Sequence, residues 1–247
     1  MPEILNPTAN SVATEQLRGT TSREEVCARI RETGVIPVLR GASPEAALFA
    51  AESLAQAGIP IMEIAANRPG ALGVISHLVK YAPEIVVGAG SVTDMATAHR
   101  CLDIGAKFLA SDALMLDMCK FRATEQVAVL PGAFTPSEIL AAWGAGADFV
   151  KVVPCNAAGG ASYIRSLKAA LPDVPLIAAG GVTQMTALGL VAAGATALGV
   201  GGELIPEQAI RLRQGRRIQE LARRFLGFVD NGRIESAGRN DFLTELK

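Results

Sequence analysis

Short apolar runs alternate with longer helical segments along the chain from Val35 onwards. Each run holds three to five residues rich in Val, Ile, Leu and Ala, a length typical of buried strands. The segments between them are rich in Ala and Leu and long enough for helices. The runs cover residues 35–39, 61–65, 85–87, 107–110, 127–130, 149–153, 176–179 and 197–200. The pattern therefore predicts eight strands joined by helices.

Capping signals support the helix positions. Ser22 with Glu25, and Thr135 with Glu138, have the spacing of a capping box. Glycines suited to a left-handed helix end precede four of the runs, at Gly58, Gly105, Gly146 and Gly194. Eight parallel βα units in about 220 residues predict a single-domain α/β protein with the (β/α)8 TIM-barrel fold.

An open, doubly wound sheet is the alternative architecture. Its dinucleotide sites have a three-glycine fingerprint after the first strand, whereas this chain offers only Gly88-Ala89-Gly90. We therefore favour the barrel. We assign it to residues 22–247, including a C-terminal helical tail, and expect residues 1–21 to form a flexible N-terminal tail.

The composition argues against several classes of function. Of 247 residues, 50% are hydrophobic and 19% charged, which suits one large domain with its own core. A net charge of -1 gives no basic surface for nucleic acid, and one Trp and two Tyr leave few rings for stacking bases. The apolar stretches are shorter than the ~20 residues of a membrane-spanning helix, and the N-terminus lacks a signal-peptide core. We expect a cytoplasmic protein without nucleic-acid or membrane partners.

We expect neither a metal site nor an organic cofactor. The histidines, His77 and His99, lie in separate helical segments without a metal-binding motif. One cysteine, Cys155, follows the sixth run closely enough to contact a ligand. The cysteines form no CxxC pair and are interpreted as reduced thiols; they are Cys27, Cys101, Cys119 and Cys155.

One lysine stands inside a predicted strand. Lys151 lies in the sixth run, residues 149–153, and Glu63 lies between Met62 and Ile64 in the second. In an eight-stranded barrel the second and sixth strands face each other. Inward side chains of even-numbered strands can share a layer. We therefore predict a Lys151–Glu63 pair inside the barrel.

Two interpretations of this pair are open. It is either a structural ion pair, although removing charge from water is costly, or a centre of covalent catalysis. Apolar neighbours favour a neutral amine, whereas an ionised Glu63 favours the ammonium form. A neutral Lys151 can attack a ketone and form an imine that withdraws electrons from the adjacent carbon. Glu63 would then move the protons, without metal or cofactor.

Paired glycines follow the last two runs, at Gly180-Gly181 and Gly201-Gly202. Loops in these positions commonly hold phosphate in this fold, although each pair can equally be a tight turn. Glu203 follows the second pair directly. A carboxylate about 5 Å from a phosphate costs roughly 3 kcal/mol at an effective dielectric constant near 20. Either Glu203 turns away or the substrate lacks a phosphate.

Six segments together resemble one enzyme family. They are residues 62–64, 87–92, 130–132, 149–154, 180–182 and 199–202. In this order, over residues 26–226, they resemble the class I aldolases of 2-keto-3-deoxy-6-phosphogluconate, of its galactonate isomer and of 4-hydroxy-2-oxoglutarate. The resemblance implies a (β/α)8 barrel, usually a homotrimer, that forms pyruvate and an aldehyde.

The resemblance also implies roles for individual residues. Lys151 corresponds to the Schiff-base lysine and Glu63 to the acid/base. Ser91, where the family usually has Thr, is expected to help hold the pyruvate carboxylate. Arg40 after the first strand and Asn67 four residues after Glu63 resemble the phosphogalactonate branch. The alternative for Arg40 is a surface salt bridge, and the alternative for Asn67 is a cap of the next segment. The full set of expected substrate-binding residues is Arg40, Asn67, Arg68, Ser91, Pro131, Gly180, Gly181, Gly201, Gly202 and Glu203.

Three positions depart from the family pattern. Ala65 and Asp112 replace Thr and Pro of the phosphogluconate branch, and Glu203 replaces a small hydroxyl residue. The lysine and the glutamate remain, so the leading hypothesis is a pyruvate-forming aldolase whose aldehyde is undetermined. One alternative is a phosphosugar isomerase or synthase in which Lys151 only stabilises charge. The other is a non-catalytic barrel that binds sugar acids.

Overall fold

The computed structural model describes residues 21–245 of the chain, with side chains as far as residue 238. The tail expected at residues 1–21 thus lies outside the described residues, apart from Thr21. The strands are β1 (Val35–Leu39), β2 (Ile61–Ala65), β3 (Val86–Gly90), β4 (Phe108–Ala110), β5 (Ala128–Leu130), β6 (Gly132–Ala133), β7 (Val150–Val152), β8 (Leu176–Ala179) and β9 (Ala197–Val200). They overlap the eight predicted runs, with ends that differ by up to three residues, and β6 continues the fifth run.

All neighbouring strands pair in parallel, in the order β5-β4-β3-β2-β1-β9-β8-β7-β6. The ends of this order meet at Pro131, which separates β5 from β6. The Asp148 N–H donates to the Val129 carbonyl at 3.0 Å, and the Lys151 N–H donates to the Pro131 carbonyl at 2.9 Å. The segment containing β5 and β6 therefore acts as one barrel strand, and the predicted (β/α)8 barrel is confirmed.

Helices alternate with the strands as expected, and both predicted capping boxes, at Ser22 and Thr135, are formed. The helices are α1 (Arg23–Thr33), α2 (Pro44–Ala55), α3 (Ala71–Tyr81), α4 (Met95–Asp103), α5 (Leu116–Cys119), α6 (Phe121–Thr124), α7 (Pro136–Gly144), α8 (Ala161–Ala170), α9 (Gln184–Ala192), α10 (Glu207–Arg211) and α11 (Gly215–Glu245).

Left-handed glycines end four of these helices where the sequence predicts them. Gly58, Gly105, Gly146 and Gly194 have φ values of 94°, 101°, 96° and 106°, a region that side chains disfavour. Each glycine turns the chain from a helix into the next strand, so the βα units repeat with the same geometry.

The C-terminal helix α11 is the longest, with 31 residues. It packs against α9 and α2 and buries Ile218, Ala222, Phe225 and Val229. Its polar faces keep it from resembling a membrane span. Among residues 21–245, no helix combines the length and the apolar character needed to cross a bilayer.

The strands are buried along their whole length, so polar side chains on them are conspicuous. Glu63 and Lys151 are the charged residues within the strands. In a (β/α)8 barrel the carboxyl ends of the strands carry the chemistry. Arg40, Ser91 and Asp112 lie just beyond such ends, after β1, β3 and β4.

Candidate active site

Lys151 and Glu63 meet inside the barrel. Lys151 lies on β7 and Glu63 on β2, and the two residues are 2% and 1% exposed. Lys151 Nζ lies 3.1 Å from Glu63 Oε1 and 3.3 Å from Oε2. The side chains that the strand pattern placed in one layer are therefore in hydrogen-bond contact.

A second carboxylate, that of Asp112, also contacts Lys151. Asp112 Oδ1 lies 3.0 Å from Lys151 Nζ, and the Asp112 side chain is 41% exposed. It therefore connects the buried ammonium group with the open part of the site. Asp112 departs from the family pattern and was not among the expected site residues. The sequence feature that could have identified Asp112 is its position just after the end of β4, because this fold places functional groups there.

Ser91 supports Asp112. The Ser91 hydroxyl donates to Asp112 Oδ2 at 2.6 Å, and Ser91 is only 4% exposed. Its φ of +50° lies in the left-handed region that residues other than glycine rarely adopt. Such strain persists only where the surrounding structure enforces it. In the structure the Ser91 hydroxyl thus binds Asp112. The expected contact of Ser91 with a substrate carboxylate stays a prediction.

The turn that carries Asp112 is fixed on its other side. The Ser111 hydroxyl donates to the Ala113 carbonyl at 2.5 Å and accepts from the Gly132 N–H at 3.2 Å. A Cβ atom at Gly132 would lie 2.5 Å from the Asp112 carbonyl carbon, so glycine is needed for this close approach. Asp112 consequently projects towards Lys151 from a constrained backbone.

Lys151 and Asp112 each stabilise the charged form of the other. Burial lowers the pKa of Lys151, but the charges of Glu63 and Asp112 raise it by more. The pKa of Lys151 therefore lies above its usual 10.5. Burial raises the pKa of Asp112, but the Lys151 charge and the Ser91 hydrogen bond bring it below its usual 3.8. The ammonium form of Lys151 is therefore favoured in the resting site, and Lys151 has to lose a proton before it can act as a nucleophile.

A cavity of about 310 Å³ opens beside Lys151 and Asp112 at the carboxyl ends of the strands. This lies within the size range of small-molecule sites. Its wall includes six of the expected substrate-binding residues: Arg40, Gly180, Gly181, Gly201, Gly202 and Glu203.

Arg40 supplies positive charge to this cavity. A Cβ atom at Gly201 would lie 2.9 Å from Arg40 Nη1, so the guanidinium group lies against the second glycine pair. Arg40 also helps to lower the pKa of Asp112. No ion pair of Arg40 is present in the described part of the chain.

Besides Ser91, three expected residues lie outside the cavity wall. Asn67 and Arg68 follow β2 at the same end of the barrel, but both are exposed. Pro131 is buried, and its carbonyl accepts the Lys151 N–H. Its visible role is to position Lys151 on the barrel wall. Direct substrate contacts of these three residues stay predictions.

Cys155 does not reach the cavity either. It is fully buried, and burial raises the pKa of its thiol to about 11. The other cysteines, Cys27, Cys101 and Cys119, are buried as well. His77 packs on Tyr81 and His99 on Phe121. Among the residues with described side chains, no group of three or more His, Cys, Asp or Glu could hold a metal ion.

Comparison with protein families identifies the family of the chain. Residues 26–221 match the KDPG and KHG aldolase family. The chain belongs to this family. One relative of this aldolase is a probable 2-dehydro-3-deoxy-6-phosphogalactonate aldolase of Rhizobium meliloti (strain 1021). It is 34% identical over 175 residues, which cover 70% of this chain and 82% of the relative.

Solved structures agree with this assignment. The native KDPGal structure superposes with a TM-score of 0.73 at 27% identity, over 80% of this aldolase and 95% of that chain. KDPG aldolase from Legionella pneumophila, with pyruvate captured as a covalent carbinolamine intermediate, has a TM-score of 0.74 at 27% identity. That match covers 80% of this chain and 96% of the other. The family resemblance inferred from the six sequence segments is confirmed.

Proposed function

We propose that the protein is a class I aldolase that cleaves a 2-keto-3-deoxy sugar acid, or 4-hydroxy-2-oxoglutarate, to pyruvate and an aldehyde. The observation that carries this proposal is the buried Lys151 Nζ, within 3.0 to 3.3 Å of two carboxylates and next to an open cavity. A nucleophile in contact with a base is what covalent catalysis requires. The covalent pyruvate intermediate of a family member with 27% identity supports the same chemistry.

The reaction begins at Lys151. Its ammonium group gives a proton to a neighbouring carboxylate, and the free Nζ attacks C2 of the keto acid. A C–N bond forms while the carbonyl oxygen becomes a hydroxyl group. Loss of that hydroxyl as water leaves a protonated imine, whose positive nitrogen draws electrons from the C3–C4 bond.

Glu63 then serves the cleavage step. Its side chain is only 2% exposed, so we place a water molecule between it and the substrate. Through that water, Glu63 takes the C4 hydroxyl proton. The C3–C4 bond breaks and the aldehyde leaves. The electron pair of the broken bond forms the C2–C3 double bond of an enamine. Protonation at C3 and hydrolysis of the imine release pyruvate and restore Lys151.

Arg40 binds the substrate carboxylate in this proposal, since its charge faces the cavity. Ser91 and Asn67 were expected to orient the carboxylate and hydroxyl groups. Ser91 would do so only if its hydroxyl were released from Asp112. Asn67 and Arg68 would reach the substrate only if the loop after β2 moved inward.

The aldehyde portion faces the paired glycines. Relatives are named for 6-phosphorylated substrates, but Glu203 lies in the cavity wall of this chain. Its negative charge opposes a phosphate in the same space. We therefore infer that the preferred aldehyde carries no phosphate.

Borohydride reduction in the presence of pyruvate tests the function. We expect a stable pyruvate adduct on Lys151, located by peptide mass mapping. Lys151→Met should form no adduct. The control Lys80→Met, which removes an exposed lysine on α3, should react like the wild type. Absence of an adduct on Lys151 of the wild type would overturn the proposal. Catalysis that survives the treatment would favour the isomerase or synthase alternative.

We further propose that the enzyme works as a cytoplasmic homotrimer. Leu140 and Trp143 lie three residues apart on α7 and are 52% and 39% exposed, with Phe134 nearby in sequence at 41%. Exposed apolar groups of this kind are typical of subunit interfaces. The four free thiols fit a reducing compartment. Sedimentation of the wild type should show a trimer, and Leu140→Lys with Trp143→Lys should yield monomers if α7 lies in the interface.

A further inference from the structure

Two carboxylates contact Lys151 Nζ, but only that of Asp112 lines the cavity. Glu63 lies outside the cavity wall and its side chain is 2% exposed. Asp112 lies in the wall with its side chain 41% exposed. The amine is therefore positioned between an enclosed carboxylate and an accessible one.

We propose that Asp112 is a further catalytic residue, which carries protons from Lys151 Nζ to the substrate oxygen while the imine forms. This inference rests on the proposed aldolase function and extends it. It divides the proton transfers between two carboxylates. Asp112 serves formation and hydrolysis of the imine, whereas Glu63 serves cleavage of the C3–C4 bond.

The proton balance of imine formation requires such a carrier. The ammonium group and the ketone give a protonated imine and one water molecule. Nitrogen starts with three protons and ends with one, so two protons move to the departing oxygen. Asp112 takes the first from Nζ and gives it to the carbonyl oxygen as the C–N bond forms. It takes the second from the carbinolamine nitrogen and gives it to the hydroxyl group as the C–O bond breaks.

The contacts of Asp112 suit this task. Oδ1 lies 3.0 Å from Lys151 Nζ, within the reach that proton transfer requires. Oδ2 accepts the Ser91 hydroxyl at 2.6 Å, which fixes the rotation of the carboxylate. Arg40, in the same cavity wall, offers a separate cation for the substrate carboxylate. The keto carbon can thus approach Nζ from the side on which Asp112 lies.

Ser91 is a positioning residue in this proposal, because it acts through Asp112. Its left-handed backbone, with φ +50°, aims the hydroxyl at Oδ2. The hydrogen bond also favours the ionised form of Asp112. Removing the hydroxyl should therefore shift the acidic limb of the rate of imine formation to higher pH.

Rapid mixing with pyruvate, followed by a borohydride quench, measures the rate of imine formation directly. We expect Asp112→Asn to lower this rate by about 100-fold, the usual effect of losing a general acid–base group. Formate should restore much of the rate to Asp112→Ala, because the site of the missing carboxylate is open to the cavity. The wild type, with its carboxylate present, should not respond to formate.

Two Ser91 variants separate strain from hydrogen bonding. Ser91→Gly relieves the left-handed backbone, whereas Ser91→Ala keeps it, and both remove the hydroxyl. We expect both to shift the acidic limb upwards by a similar amount. An unshifted limb in both variants would overturn the positioning role of Ser91.

The inference fails if Asp112→Asn forms the imine at the wild-type rate. It also fails if Asp112→Ala is slow and formate does not accelerate it, since Asp112 would then be only structural. Failure of the aldolase proposal itself would look different, because the wild type would form no adduct with pyruvate at all.

Discussion

The carboxylate of Glu63 occupies the space that a side chain at Gly90 would fill. A Cβ atom built on Gly90 would overlap the Glu63 carboxylate. Both residues lie on neighbouring strands, with Glu63 paired to Gly88 and Ala65 to Gly90. Gly90 therefore allows Glu63 to turn along the inner wall towards Lys151. The glycine in this strand is part of the site, although it has no functional group.

Gly90→Ala should displace the Glu63 carboxylate from Lys151. A shift of about 1 Å in a catalytic group can cost roughly 100-fold in rate, and we expect kcat/KM for pyruvate release to fall by about that factor. Gly73→Ala is a matched control, because a Cβ atom there meets nothing within 4 Å. Equal activities of the two variants would contradict this account of Gly90.

Lys151→Met should destabilise the fold as well as abolish the adduct. It leaves Glu63 buried without its cation, and breaking a buried pair costs about 3–5 kcal/mol. We expect the free energy of unfolding in urea to fall by that amount. Adding Glu63→Gln should recover part of the loss, because the uncompensated charge is removed. A double variant no more stable than Lys151→Met would show that the charge is not the cause.

Asp112 gives stability a specific dependence on acid. Although burial raises its pKa, Lys151 and Ser91 lower it below its usual 3.8 in the folded chain. A pKa that is lower in the folded chain than in the unfolded chain stabilises the fold at pH values above the unfolded-state pKa. This contribution is lost as the pH falls through the folded-state pKa. Below about pH 4, the wild type should therefore lose unfolding free energy more steeply than Asp112→Asn. Parallel slopes in urea titrations at several acidic pH values would argue against the linkage.

Glu203→Ser should change the preference for phosphorylated substrates. Coulomb repulsion of roughly 3 kcal/mol at 5 Å is reduced at this exposed position by solvent screening. We therefore expect about a tenfold gain in kcat/KM for the 6-phosphorylated 2-keto-3-deoxy acid over its unphosphorylated form. Glu207→Ser, outside the cavity wall, is the matched control. An unchanged preference in Glu203→Ser would mean that this carboxylate does not face the distal end of the substrate.

The cysteines should be inert in the folded enzyme. Burial raises the pKa of each thiol to about 11, at Cys27, Cys101, Cys119 and Cys155. Because the thiolate is the reactive species, a thiol reagent at neutral pH should label none of them and leave activity unchanged. Labelling of all four should follow unfolding in urea. Rapid labelling of Cys155 in the native enzyme would place it nearer the cavity than its burial indicates.

Much of the fold was predictable because its signals are local. The apolar runs, the capping boxes at Ser22 and Thr135 and the left-handed helix ends are fixed by a few neighbouring residues. The Lys151–Glu63 pair was predictable once the barrel was assigned. A period of two defines the inward face of each strand, and an eight-stranded barrel places the second strand opposite the sixth.

The tertiary structure alone decided the contacts made by the loops. The order of residues shows that Ser91 and Asp112 follow strand ends, but not that the Ser91 hydroxyl donates a hydrogen bond to the Asp112 carboxylate. That contact depends on the turn held by Gly132 and on the left-handed backbone of Ser91. Asn67 and Arg68 illustrate the converse, since they follow the same strand as Glu63 yet lie outside the cavity wall. The barrel, the lysine and its glutamate follow from the periodicity of apolar and polar positions along the chain. Barrel closure and loop conformation decided that the lysine has a second carboxylate, because a side chain beyond a strand end has no periodic constraint on its direction.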